Sequence, residues 1–545
     1  MNFKSEESEK KLSGSYYTPK WIANYIMTWI LSQDLTSILE PSCGDGVFFN
    51  VLSEHNTPTL TVKGFDIDNE AVNICRLNLL HQNFTSEIVN DDFIKWSLNN
   101  LESKHPETFD AVVGNPPFIR YQYLEKDLQD RSQELFKKLN IKFSKHTNAW
   151  IPFLIASIEF LKPGGKIGMI IPSEILHVLY AKELRKYLLS KCSQIMLIDP
   201  EDIWFADTLQ GVMILMAEKK HSNDEKTNGV AIIKTRGTSF AQDDPNELFK
   251  NADYVSGSFL SNKWTYALLT PEERSVYKRL CSLDCVKLFT DLADVDVGIV
   301  TGANNFFLVT DQVVKKYNLY DVAKPMFGRS EHCPGIIYDE EQNIYNASKG
   351  VPTNFLHFDK EDSGIKYRDY LKIGEELGLP SRYKCHIRKP WYRVPSVYAS
   401  PISMLKRSNG MPRLILNSVH AYTTDTAYRI TPHEGINKIA MVRCFLNSLT
   451  ALSAELEGRH YGGGVLELVP SEIEHLAIPY TEQNFIDLHK LNEYVKTHSI
   501  DEVIEYQDNM LFPLLGINLF DVQLLQNALH RLKNRRQRIK TPSDE

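Results

Sequence analysis

The stretch Phe109-Asp110-Ala111-Val112-Val113-Gly114-Asn115-Pro116-Pro117-Phe118 joins an apolar strand to a stiff turn that presents one amide. Two successive prolines have fixed φ and no N–H to give to a ladder, so they hold that turn rigid. The Asn115 side-chain oxygen and the Pro116 carbonyl can both accept hydrogen bonds from an NH2 group. Phe118 adds a face on which a planar ring can stack. Such a site suits an aryl amine, a weak nucleophile because its lone pair is delocalised. Two acceptors on its protons favour a pyramidal nitrogen whose lone pair is aimed at an electrophilic methyl. In-line displacement then depends mostly on positioning. No strong base is needed, since the nitrogen becomes acidic only as it is alkylated. Taken alone, the turn is equally a rigid proline turn after a core strand.

A matching donor site is encoded upstream. Ile38-Leu39-Glu40-Pro41-Ser42-Cys43-Gly44-Asp45-Gly46-Val47-Phe48 reads as a strand, a tight turn and the start of a helix. Gly44 and Gly46 let backbone pass close to a ligand. The spacing is neither a dinucleotide fingerprint nor a phosphate loop. Its carboxylates would repel a pyrophosphate but suit the sulfonium and ammonium groups of S-adenosylmethionine. At the next strand end, Gly64-Phe65-Asp66-Ile67-Asp68 places an acid where it can accept from a ribose diol. Asn90-Asp91-Asp92-Phe93 then offers a carboxylate to an adenine amine and an aromatic face to its ring. Each element is weak by itself; their order on successive strands carries the reading.

These residues need a scaffold, and the chain encodes one. From about residue 36 to 220, short apolar runs alternate with amphipathic stretches. Strands are expected at 37–40, 60–66, 111–114 and 166–171, and helices over 69–81 and 149–161. Strand–helix alternation predicts a Rossmann-like α/β domain, a mostly parallel sheet covered on both faces. Ligands of such sheets bind beyond the carboxyl ends of the strands. The runs 211–216 and 230–234 flank a polar stretch and are expected to pair as a hairpin. A boundary near 245 gives a catalytic domain over 1–245 and a second, mixed α/β domain over 246–545.

Together the motifs resemble the amino-methyltransferases of DNA, specifically the gamma-ordered N6-adenine group of restriction–modification systems. In that group a Tyr-Thr-Pro element precedes the glycine turn, and Tyr17-Thr18-Pro19 stands in that place. The resemblance implies that this element touches the methionine end of the cofactor, that the Glu40 to Gly46 turn lines its site together with Phe48, Ile67, Asn115 and Pro117, and that Asp66 is the ribose ligand. It further implies that Asp92 and Phe93 form the adenine pocket, and that Asn115, Pro116, Pro117 and Phe118 are the catalytic tetrad, with Phe where many members have Tyr. A late aromatic packs on the flipped base in this group; Phe205 is expected in that role ahead of its neighbour Trp204. In the second half, segments 297–307, Arg388-Lys389-Pro390-Trp391-Tyr392 and Gly458 to Gly464 look like parts of target-recognition domains. The DNA contacts implied are Arg388, Lys389, Trp391, Tyr392, Arg459, Tyr461 and Gly463.

Composition narrows the setting. The chain has 545 residues and a net charge of -8, which excludes a protein coated in basic charge but leaves room for a local basic cleft. Arg382, Lys384, Arg388, Lys389 and Arg393 fall within one short run among aromatics. They suit either phosphate contacts or a solvated face. The basic tail from Arg531 to Lys540 is expected to add nonspecific phosphate attraction. Eight scattered cysteines without CxxC spacing fit reduced thiols, with Cys281 and Cys285 on one buried helix face, and no metal site is expected. No run reaches the roughly 18 apolar residues that span a membrane. The expected setting is therefore a prokaryotic cytoplasm, at the nucleoid. The expected protein is monomeric, acts on double-stranded DNA, and pairs with a separately encoded restriction endonuclease, since no nuclease motif is found in the chain. Methylation of an amide in protein or an amine in RNA would use the same tetrad, and N4-cytosine methylation is a closer alternative, although that group more often has Ser at the first tetrad position.

Overall fold

The computed structural model describes residues 18–537 apart from 56, 58, 146, 201–210, 258–259, 261, 360–362 and 462–463. Two compact units divide the chain, Met1–Leu268 and Leu269–Glu545.

The first unit opens with helix α1 (Lys20–Ile30), then β1 (Ser37–Glu40), α2 (Val47–Leu52), β2 (Thr61–Asp66), α3 (Asn69–Asn78), β3 (Thr85–Asn90), α4 (Phe93–Glu102) and β4 (Phe109–Gly114). Helices α5 (Lys126–Lys138) and α6 (Trp150–Glu159) precede β5 (Leu161–Pro172). Helix α7 (Lys182–Lys191), β6 (Cys192–Pro200), β7 (Val212–Lys219), β8 (Gly229–Thr235) and α8 (Pro245–Asn251) follow. The strands form one eight-stranded sheet in the order β3-β2-β1-β4-β5-β7-β6-β8. Strands β1 to β5 are mutually parallel where they pair, and β7 runs antiparallel between β5 and β6.

The central strands are continuous apolar runs because both their faces are covered. Strand β3, at the edge, keeps mostly exposed side chains. Helix α1 closes on the sheet through Ile22, Ile26, Trp29 and Ile30, all buried. It comes so near β5 that a Cβ on Gly168 would stand 2.4 Å from Ile26 Cγ2. The order reverses beside β1: the chain runs outward to β2 and β3, then crosses back to β4. Ligand sites of open α/β sheets form at such switch points.

Two expectations need correction. The runs 211–216 and 230–234 do not form a hairpin. Strand β7 has both edges taken by β5 and β6, and β8 pairs parallel with β6 on the far side. The first unit also extends past residue 245. Phe240 and Phe249 enter the core beside Tyr25 and Trp29, with ring centroids 5.2 and 4.9 Å apart. Val255 exchanges two backbone hydrogen bonds of 2.9 Å with Val230.

The second unit contains helix α9 (Pro271–Cys281), which ends before Cys285, so the two cysteines do not share a helix face. Its main sheet has five strands, β9 (Ala293–Val297), β10 (Ile337–Tyr338), β11 (Ile402–Leu405), β12 (Leu414–Asn417) and β13 (Ala427–Pro432), in the order β9-β13-β11-β12-β10. Helices α10 (Ser448–Glu457), α11 (Ile500–Leu514) and α12 (Leu519–Gln537) complete the unit's longer elements.

Gly229 carries the join between β8 and the segment that follows. Its φ is +99° and a Cβ there would lie 1.9 Å from the Val255 carbonyl oxygen. Gly229→Ala is expected to destabilise the protein by about 2–4 kcal/mol, because backbone strain and a backbone clash add. Urea unfolding followed by circular dichroism measures it; a loss below about 0.5 kcal/mol would show that this crossing is not fixed.

Candidate active site

Parallel pairing of β1 with β4 sets Ile38 opposite Ala111 and Leu39 opposite Val112. The turn after β1 and the turn after β4 therefore leave the sheet side by side. Ser42 Oγ donates to the Asn115 carbonyl at 3.1 Å. Asn115 Nδ2 donates to Thr18 Oγ1 at 3.2 Å, which orients the amide through its nitrogen. Pro19 caps α1, so this helix carries Thr18 to the site. Pro116 is buried, whereas Pro117 and Phe118 are half-buried, and Phe118 packs on the sheet core. The fold thus brings the Asn115 amide, the Pro116 carbonyl and the Phe118 ring together beside the Ser42 turn and Thr18.

Glu40 is the unusual group. It is 1 % exposed, and its Oε2 has no hydrogen-bond partner among the described residues. Burial first, and then the Cys75 thiol and the Asp66 and Asp45 carboxylates, push its pKa well above the ordinary glutamate range. An orphaned buried carboxylate oxygen is costly unless something pairs with it. The chemistry of the pocket asks for a cation, and an ammonium fits.

The two glycines of the turn act differently. Gly44, at φ +52°, would point a Cβ into open space, so its face is available to a ligand. Gly46, at φ +85°, would put a Cβ 2.6 Å from Cys75 Sγ; it serves the packing of α2 against α3. Pro41 and Cys43 are buried, while Ser42 and Asp45 are half-buried beside Gly44. Asp66 holds the turn: its Oδ2 accepts from the Gly44 N–H at 2.8 Å and its Oδ1 from the Asp68 N–H at 2.9 Å. Net of those bonds, burial still raises the Asp66 pKa. Ile67 is 77 % exposed at the same edge, an apolar face open to a ring.

Other assigned residues are placed elsewhere. Phe48 and Phe93 are 1 % and 2 % exposed and belong to the core. Phe93 stacks on Trp96 at 5.8 Å, so its ring faces protein rather than a pocket. Asp92 is the cap of α4, accepting from Ile94 N–H at 2.7 Å, and its second oxygen is bonded by Arg131. Tyr17, Trp204 and Phe205 lie outside the described residues.

Sequence reasoning passed over a support behind the tetrad. The Ala149 N–H donates to the Ile119 carbonyl at 2.8 Å, and Arg120 bridges Asn148. Trp150 Nε1 donates to Glu174 Oε1 at 3.3 Å. Burial raises the Glu174 pKa. An acid after a strand is too common to signal this role; only the fold brings 119, 150 and 174 together.

In the second unit the assigned aromatics are structural. Trp391 lies 5.4 Å from Phe306, and Tyr392 lies 5.9 Å from Phe358. Arg388 donates to the Val300 and Thr301 carbonyls at 2.6 and 2.7 Å, and Arg459 pairs with Glu472 at 3.0 Å. The Tyr461 side chain and Gly463 lie outside the described residues. In the basic tail, Arg531, Lys533 and Arg536 pair with Glu273, Asp501 and Glu455, which neutralises half of the charge expected to attract phosphate. No group of three or more potential metal ligands is found among the described residues.

The fold and the glycine turn define a Rossmann-like methyltransferase. Residues 3–263 match the N-6 DNA Methylase family model, and residues 261–512 match the C-terminal domain of Type II methyltransferase M.Eco57I. The chain is an N6-adenine DNA methyltransferase of the restriction–modification type. It is 24% identical over 533 residues to Type II methyltransferase M.AccI of Acinetobacter calcoaceticus, covering 93% of this chain and 94% of that one. It is 28% identical over 504 residues to Type II methyltransferase M.BanIII of Aneurinibacillus aneurinilyticus, covering 79% and 82%. The structure of the type IIG restriction endonuclease BpuSI aligns with 96% of this chain at TM-score 0.42 and 15% identity; this chain spans 66% of its length.

The burial of Glu40 has a measurable consequence. Its folded pKa is raised, so its contribution to stability is full below about pH 4.5, its ordinary value, and is lost as pH rises toward the folded value. Cofactor-stripped Glu40→Gln should therefore melt higher than wild type at pH 7, and the gap should close on acidification. Thermal melts across pH test this; a variant that melts lower at pH 7 would show that the carboxylate is already satisfied.

Proposed function

We propose that the chain transfers the methyl of S-adenosylmethionine to N6 of an adenine turned out of double-stranded DNA. The observation that carries this is the adjacency, across β1 and β4, of a buried carboxylate with one oxygen unpartnered among the described residues and an amide oriented on a proline turn. Bound S-adenosylmethionine supplies an electrophilic methyl on a sulfonium. Glu40 would hold the ammonium of its methionine end, with Thr18 and Pro19 beside it. Gly44 would let the donor lie against the backbone, Asp66, already fixing the Gly44 amide, would accept from the ribose diol, and Ile67 would add an apolar contact.

The Asn115 side-chain oxygen and the Pro116 carbonyl accept from the target N6 amine, and Phe118 stacks on its ring. A base within a duplex cannot reach this turn, so the adenine is extruded at a cost of about a few kcal/mol. The order of glycine turn, proline tetrad and second unit along the chain agrees with the gamma arrangement. The enzyme works as a monomer in a prokaryotic cytoplasm, at the nucleoid, protecting sites cut by a separate endonuclease.

Tritiated S-adenosylmethionine and unmethylated DNA, followed by digestion to nucleosides, test the reading. Label is expected in N6-methyladenine, and Asn115→Ala should lower kcat by about 10²–10³-fold, as expected for removing one positioned hydrogen-bonding group. Label in cytosine would overturn the target, and label only in RNA or protein would overturn the DNA substrate.

A further inference from the structure

Within the second unit, segments 297–300 and 384–397 enclose a cleft of about 710 Å³. Lys384, Arg388, Lys389, Arg393 and Arg429 line it, against one carboxylate among the described residues, Asp359, and His357. The side chains of Lys384, Lys389 and Arg393 have no ion pair or hydrogen bond with the described residues; Lys384 lies over the Tyr383 ring at 5.6 Å. This is out of character for an acidic protein of net charge -8, in which Arg459, Arg531, Lys533 and Arg536 each have a carboxylate partner. Cations that outnumber the carboxylates around a concavity repel one another unless an anion joins them.

The deeper cations are held in place. Arg429 is 6% exposed, its guanidinium lies 3.6 Å over the Tyr398 ring, and its Nη1 donates to the Ser396 carbonyl at 2.7 Å. Arg388 is tied to the 300–301 backbone. The buried Nε atoms of Arg393 and Arg429 have no acceptor among the described residues. Two apolar side chains, Tyr383 and Ile387, stand four residues apart on the same segment, 74% and 61% exposed.

We propose that this cleft seats a sugar–phosphate strand of the DNA, held by charge and not by reading bases. The proposal rests on the DNA reading above and assigns one part of it to one surface. Liquid water occupies about 30 Å³ per molecule, so the cleft holds roughly two dozen waters and a lone phosphate would leave most of it wet. A strand fills it, with phosphates on the cations and deoxyribose against Ile387 and Tyr383. Base readout uses Asn, Gln or a guanidinium free to make a bidentate contact. Among the described residues the lining contains no Asn or Gln, and two of its three guanidiniums, those of Arg388 and Arg429, spend donors on backbone carbonyls; the third, Arg393, keeps its donors and is assigned to a phosphate. Contacts of this kind set position on the duplex and carry no sequence information.

The test is the salt dependence of DNA binding by the full chain and by the K384Q/K389Q/R393Q variant. Duplexes with and without the mapped methylation site are used, and methyl transfer by the wild type checks the underlying reading separately. The variant should lose affinity by the same factor on both duplexes. Its slope of log K against log salt should be shallower by about 2–3, at about 0.9 for each phosphate contact removed. Its melting temperature and S-adenosylmethionine affinity should match wild type, which separates lost contacts from lost folding. An unchanged slope, or a loss confined to the duplex bearing the site, would overturn the assignment. Adenosine monophosphate binding that the variant abolishes, with the DNA slope unchanged, would assign the cleft to a small anion and overturn it too.

Discussion

Strands β1 and β4 lie side by side and parallel, although their paired residues are 73 positions apart in the chain. That pairing places the Glu40 turn and the Asn115 turn at one edge of the sheet, and the rest of the catalytic unit is arranged around it. A slip of two residues would move one turn by about 6–7 Å relative to the other. The 3.1 Å bond from Ser42 to the Asn115 carbonyl would then be impossible. Register is secured at the opposite end of the pair, where Asp110 Oδ2 accepts from the Thr36 and Ser37 N–H groups at 2.9 and 3.0 Å.

The same edge concentrates negative charge in a place that the folded chain alone does not favour. Glu40 is buried without a full set of partners, and Asp66 is retained by two backbone amides. These features oppose apo stability and suit a cationic ligand. The strain sits where α2, α3 and the sheet over-determine the backbone: Gly46 is fixed against Cys75, and Asp66 grips the Gly44 amide. A site held so firmly loses little further freedom when a ligand arrives, which favours affinity and alignment together.

The aromatic–basic run of the second unit shows why composition misleads about recognition surfaces. Trp391 and Tyr392 are the residues that a reader of sequence would lay against bases, yet both rings pack on Phe306 and Phe358. The exposed aromatic is Tyr383, eight residues earlier. Rings in this segment order the loop so that cations can line a cleft. In the tail, by contrast, half of a denser basic run is taken up by ion pairs to Glu273, Asp501 and Glu455.

What the sequence determined by itself was local chemistry. The strand–glycine turn, the proline-stiffened Asn115 and the alternation of strands with helices follow from neighbouring residues, whose φ restrictions and apolar periodicity act over a few positions. The parallel sheet and the position of its site beyond the strand ends were legible for that reason. Tertiary structure decided which edge each strand uses, so β7 entered between β5 and β6 instead of joining β8 in a hairpin. It also decided how each ionisable or aromatic group is spent. Asp92 caps a helix and meets Arg131, Phe93 fills a core, and Glu174 supports the tetrad from behind, whereas Glu40 is left with an oxygen to offer. Burial and pairing depend on partners far away in the chain, and no short-range pattern of residue types encodes them.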